Sequence, residues 1–348
     1  MGYSEKEENM LVRDEKITKT LIKGLASEKV TVDNLSEYFG KQCLFVGVHQ
    51  KNQADRKITL SDLLMQHGVS DETMEFFAEY KNRTQVSIFP NREMKKVHSI
   101  FQSVRHKRDV CSFGRNGLMT AETYKDIFRP FYLDKVQELE ETVTELSKGY
   151  DTYVSAFKTG FERMLEDMGV SEEDAGTIKK DVYRSIPRKE DLDSMFGLQL
   201  SLKAYPVITS ISLLDGDISS DVKDSISETA IESVYEILGT SLSNAFKQVN
   251  DILVYYQRTY KLKDSDRKKV QILAAKLAKE NLLKNVLISE LSDGLKEIIS
   301  ATSTDDEVAE QLEDTLCKIY KFATETDTVN DLVLKDCILP KAELERYL

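Results

Sequence analysis

The chain has 348 residues, 31% of them charged and 41% hydrophobic, with a net charge of −12. That balance argues against a disordered or membrane-embedded chain, and the acidity argues against a protein that coats nucleic acid with its whole surface. Only 15 Gly and 5 Pro occur, about half the usual share, which disfavours sandwiches, propellers and other turn-rich all-β folds.

The first stretch, Met1 to Lys16, is charged and lacks the apolar core of a secretory signal. Gly2 is not followed by the Ser or Thr that a myristoylation motif needs. Ile17–Leu25 and Asp33–Phe39 read as short helices. The run Gln42-Cys-Leu-Phe-Val-Gly-Val-His49 is short, apolar and rich in β-formers, hence a strand. Thr59 with Asp62 has the spacing of a helix cap, and Asp71–Asn82 has helical periodicity. Val86–Phe89 before Pro90 reads as a second strand. Helical spacing returns from Asn91 to about Asp109, through Met94, Val97, Phe101 and Val104.

After a loop at Ser112–Gly117 comes what reads as the longest element, Thr120 to Met168. Phe128, Tyr132, Val136, Leu139, Val143, Leu146, Tyr150, Tyr153 and Phe157 follow one another in steps of three and four. This is a heptad seam, and as one helix the element would span about 73 Å. Such a helix must pack along another helix, of its own chain or of a partner. The ring-rich seam suits a multi-helix core better than a simple zipper. Ser171 with Asp174 restarts a helix that Pro187 ends. Phe196, Leu198, Leu200 and Leu202 then alternate with Gly197, Gln199, Ser201 and Lys203, a half-buried strand signal.

From about residue 219 the pattern is helical throughout. One helix runs on Val222 to Tyr256, another on Leu273, Leu277, Leu287, Leu291, Leu295 and Ile298, and a third starts at Thr304 with Glu307 as its capping partner. Residues 301–348 hold 12 Asp and Glu against 5 Lys and Arg. The expectation is an α+β chain, predominantly α-helical. A small antiparallel or mixed sheet from 42–49, 86–89 and 195–205 would carry a long coiled-coil-like helix. Three parts follow: a mixed region 1–112, the long helix with its return strand 113–214, and a C-terminal helical bundle with an acidic tail 215–348.

Chemistry is harder to find. There is no Walker phosphate loop, no G-x-G-x-x-G and no nucleophile elbow. Gly114-Arg-Asn-Gly117 reads as a turn. Asp215 and Asp217 imitate the start of a calcium loop, but Ser220 and Ile226 stand where Gly and a bidentate Glu are needed. His49, His67, His98 and His106 have no zinc-type spacing, and Cys43, Cys111, Cys317 and Cys337 form no CxxC pair. Scattered cysteines suggest a reducing compartment, and no apolar run approaches a membrane span, so the expected location is cytoplasmic. No catalytic residue, metal or cofactor is expected, and an enzyme is the least supported reading.

One charge feature opposes the overall sign. Arg92, Lys95, Lys96, Arg105, Lys107, Arg108 and Arg115 face only Glu93 and Asp109 over residues 91–115. Cations at a helix end suit its dipole. The functional alternative is a docking patch for an acidic protein surface or a nucleic-acid backbone.

The order of elements carries a resemblance. It lies in Cys43-Leu-Phe-Val-Gly-Val-His49, the helix ending Gly149-Tyr-Asp151 and Phe157, Ile186-Pro187, and Met195-Phe-Gly-Leu-Gln-Leu200. Over about residues 40–210 this resembles a domain-of-unknown-function family of phages and bacterial mobile elements, often encoded beside a MoxR-like AAA+ ATPase and a cobalt-chelatase-like protein. The resemblance implies a non-enzymatic accessory role, as adaptor or regulator of the ATPase, in the host cytoplasm if phage-encoded. Two other readings stand beside it. One is a nucleic-acid-associated protein using the basic patch. The other is a virion or assembly protein that oligomerises through the long helix.

Overall fold

The computed structural model describes residues 16–52, 58–59, 85–86, 89–167, 169–208, 216–300, 303–329, 331–340 and 344. A helical stretch at 16–21 and 3-10 turns at Lys23–Glu28 and Val32–Asn34 precede α1 (Leu35–Gln42), β1 (Cys43–Asn52), β2 (Ile58–Thr59) and β3 (Gln85–Val86). Then come α2 (Asn91–Cys111), β4 (Leu118–Thr120), α3 (Arg129–Asp167), α4 (Glu172–Arg184), α5 (Leu192–Met195) and β5 (Phe196–Ala204). The chain continues through α6 (Gly216–Thr259), α7 (Asp264–Glu280), α8 (Val286–Ser300), α9 (Asp305–Thr326) and α10 (Asp331–Lys335). It is a predominantly helical α+β fold, with a three-stranded sheet in the order β4-β1-β5. β4 pairs antiparallel to β1, from Cys43 opposite Thr120 to Phe45 opposite Leu118. Gly47 lies against Ser201 and Gly197 against Lys51, so β5 also runs antiparallel to β1.

Two compact units result, and they do not coincide with the three consecutive segments expected. One joins residues 1–45, 112–121 and 203–348, and the other joins 46–111 and 122–202. The reason is long-range pairing. In the first unit the Tyr38 hydroxyl donates to the Leu282 carbonyl at 2.7 Å, and a side chain at Gly24 would collide with the Lys284 carbonyl. Its core is built on α6, which packs against α7 and α9, while α8 packs on α7. Leu238, Leu242, Val249 and Leu253 are fully buried there, as the helical spacing requires; Ile237, Phe246 and Ile252 widen the buried face. In the second unit α2 and α4 pack on α3 around Val97, Ile100, Leu146, Phe161 and Ile178.

Several expectations are corrected. The stretch Val86–Phe89 is not a strand of the main sheet. Gln85–Val86 pairs with Ile58–Thr59 in a separate ladder. Phe89 is buried at the bend before Pro90, in the same core as Met94. These are the N′ and N4 positions of α2, the places of a hydrophobic staple. The third strand of the main sheet is Leu118–Thr120, too short to show periodicity. The long element from Thr120 is interrupted. Ala121–Thr123 is followed by a π turn at Tyr124–Phe128 before α3 begins. The longest helix is α6, with 44 residues against 39 for α3.

The helix drawn through Leu273 to Ile298 is two helices, α7 and α8. Asn281 breaks it: its amide nitrogen donates to the Asn285 carbonyl at 2.9 Å, and its side-chain oxygen accepts from the Asn285 N–H at 2.7 Å. A side chain that bonds nearby backbone offers the chain an alternative to the helix ladder. The caps at Ser171 and Thr304 form as read: Ser171 Oγ accepts from the Asp174 N–H, and Thr304 and Glu307 close a reciprocal box. The Thr59 cap lies partly outside the described residues, as do the Asp71–Asn82 helix, the extension Val207–Leu214, His67 and Asp215.

Candidate functional site

The cations at 91–115 divide in space. Arg92, Lys95 and Lys96 stand on the first turns of α2, and Arg105, Lys107 and Arg108 on its last turns. Thirteen residues of helix, about 20 Å, separate Arg92 from Arg105. Arg115 belongs to the other compact unit, in the turn that Gly114 and Gly117 close with positive φ. The buried stripe Met94, Val97, Ile100, Phe101 and Val104 sets which cations face outward. Arg92, Lys95 and Arg105 are exposed and have no ion-pair partner among the described residues. Lys96 pairs with Glu93 at 2.7 Å and reaches Glu145 of α3 at 3.6 Å, and Glu93 pushes its pKa up. Arg108 turns toward the buried side, with its Nε out of contact with solvent and its NH2 2.7 Å from Asp109.

The last turns of α2 gain neighbours that the sequence did not reveal. Lys107 of α2 and Lys135 of α3 each place an ammonium 5.6 Å from the centre of the Phe131 ring. Lys135 also pairs with Glu138, which raises its pKa. The surface is thus a half-buried aromatic ring flanked by two cations, with Arg105 and Arg108 on the same stretch of helix. Phe131 and Lys135 lie outside the seam positions, so no periodicity marks them.

The seam of α3 is filled from within its own unit. Leu139, Val143, Leu146 and Phe157 are buried with residues of α2 and α4. Tyr132 is buried and donates its hydroxyl to the Leu198 carbonyl at 2.9 Å. The Tyr150 hydroxyl bonds the Pro187 carbonyl, and Tyr153 meets Phe89 edge-on at 6.4 Å. Val136 is half-buried and lines a groove of about 410 Å³ between α3 and β5. Neither Glu140 nor Asp193, at its rim, was singled out by any spacing, because 53 residues separate them.

Reactive groups elsewhere are buried or pacified. Burial pushes the Cys43 thiol up to about 12, which removes its nucleophilic form. Burial also raises the Glu236 and Glu280 carboxyls and the Tyr205 hydroxyl, which is 2.8 Å from Ser233 Oγ. His98 Nε2 lies 3.3 Å from the Asn52 side chain. Among the described residues no cluster of three or more His, Cys, Asp or Glu is placed to hold a metal ion. Also among the described residues, no helix is long and apolar enough to cross a membrane. Comparison with known proteins yields no matching family model, no similar curated protein and no similar solved structure.

Proposed function

We propose that this chain is a non-enzymatic accessory protein that works by docking, with the C-terminal end of α2 as its contact for an acidic surface. The observation that carries this reading is the Phe131 ring held between Lys107 and Lys135, beside the exposed Arg105. Aromatic rings and arginines are the side chains that dominate interface energies, and cations around them steer an acidic partner. The resemblance over residues 40–210 suggests that partner: a MoxR-like AAA+ ATPase, for which this chain would be adaptor or regulator. The chain's sequence has no phosphate loop, so ATP hydrolysis belongs to the partner.

Binding to the ATPase encoded beside this chain's gene tests the proposal. The double variant Arg105→Glu with Lys107→Glu should weaken it at least tenfold. Arg108 is left intact, because its buried Nε makes it a risk to folding. Wild-type affinity in the double variant would overturn the assignment.

A second reading uses the other end of the helix. Arg92 and Lys95 are exposed and unpaired among the described residues, as phosphate-contacting cations are. It requires nucleic-acid binding that weakens steeply as salt rises. A flat salt response would remove it.

A further inference from the structure

The groove between α3 and β5 is a different surface from the end of α2, and its make-up specifies an occupant. Its floor is apolar, from the buried Leu139, Val143 and Phe196. Its rim is acidic, from Glu140 and Asp193, both exposed and without an ion-pair partner among the described residues. The same face of α3 continues into a shallow depression lined by Glu141 and Glu145. One wall is β5, the outer strand in the order β4-β1-β5. The Tyr132 hydroxyl reaches the Leu198 carbonyl from α3, so backbone acceptors of β5 are within reach of this side.

An outer strand presents backbone donors and acceptors that only another extended chain satisfies in series. Proteins usually blunt such edges with proline, bulges or charges. The nine residues of β5, Phe-Gly-Leu-Gln-Leu-Ser-Leu-Lys-Ala, contain no proline and a single charge, Lys203, near the end. We propose that the groove binds an extended, positively charged segment of a partner protein, which adds to the outer edge of β5 as a further strand. Alternate apolar side chains of that segment would enter the floor, and its Lys or Arg side chains would meet Glu140 and Asp193. The chain's own first fifteen residues do not match this description, with five acidic residues against two basic.

Selection from a random decapeptide library against the full chain tests this. The enriched peptides should alternate Val, Ile or Leu with Lys or Arg. Their affinity, read by fluorescence anisotropy, should fall at least tenfold in the Glu140→Lys, Asp193→Lys double variant, whose two sites are exposed. N-methylation of alternate peptide amides should abolish binding in one register and spare it in the other, which a strand-addition mode demands. The Arg105→Glu, Lys107→Glu variant should bind the peptides normally, so failure here and failure of the α2 surface are separable. No enrichment, enrichment of acidic or helical peptides, or equal effects of both N-methyl registers would overturn the proposal. So would a doubled mass in light scattering that peptide cannot reverse, since a second copy would then occupy the edge.

Discussion

The two compact units close their helices by different means. In the first, Lys29, Tyr260, Lys284 and Asp327 take left-handed backbone conformations, with φ between 48° and 58°, at helix ends and links. In the second, the one described residue with positive φ is Gly169, at 68°, and Pro90 and Pro187 mark other boundaries. A left-handed non-glycine residue costs on the order of 1 kcal/mol. In the first unit tertiary contacts offset it: Lys284 pairs with Glu28, its carbonyl sits against Gly24, and the Tyr260 ring lies 6.1 Å from Tyr256. In the second unit the backbone makes the turn unaided. A boundary held by packing is silent in the sequence, and one held by Gly or Pro is legible.

The largest expected effect tests whether packing holds the first unit's turns. Phe246→Ala empties a site only 1% exposed and should cost about 3–5 kcal/mol. Hydrogen exchange at the Asn281–Asn285 link should quicken with it. Unchanged exchange there would break the contrast.

Next come the glycines. A Cβ at Gly24 would sit 1.9 Å from the Lys284 carbonyl oxygen, so Gly24→Ala should lower stability by about 1–3 kcal/mol in urea unfolding. In the second unit, Gly160 and Gly176 lie inside helices with nothing within 4 Å of an added Cβ. Alanine at either should raise stability by about 0.5–1 kcal/mol. The same sign at all three positions would show that the units do not differ in this respect.

The caps should not distinguish the units. Thr304→Ala and Ser171→Ala each remove a side chain that accepts from the helix backbone, and each should cost about 1 kcal/mol by thermal melting. Smaller still is Lys29→Gly, which relieves a left-handed lysine. It should stabilise the first unit by about 0.5 kcal/mol, and a loss of stability would show that the Lys29 side chain matters more than its backbone.

Acid should act on the first unit through Asp305. The Leu262 N–H, followed by the Arg267 guanidinium, holds its carboxyl below the usual range. A depressed folded pKa contributes stability that is present above the unfolded value and lost as pH falls through the folded one. Asp305→Asn should therefore flatten the acid limb of the stability profile below about pH 4, without steepening it at neutral pH. An unaltered acid limb would show that the Leu262 and Arg267 contacts do not form in solution.

Local physics decided much of this protein in advance. The alternation Phe196 to Leu202 marks β5 because a strand facing a core on one side must repeat every two residues. The Ser171 and Thr304 caps mark helix starts because the first backbone amides need an acceptor within three residues. The spacing Leu238, Leu242, Val249, Leu253 marks the buried stripe of α6. The seam of α3 was legible as a packing face, but its occupant was not. Only tertiary structure shows that α2 and α4 fill it. The split between α7 and α8 depends on Asn281 and Asn285 bonding each other across a link that packs on Gly24, some 260 residues earlier in the chain. The two surfaces offered for binding are products of assembly as well. Lys107 and Lys135 meet at Phe131 because α2 packs on α3, and Glu140 faces Asp193 because β5 returns along α3. Periodicity reports which face of an element avoids water; it carries no information on which distant element supplies the other half of a site.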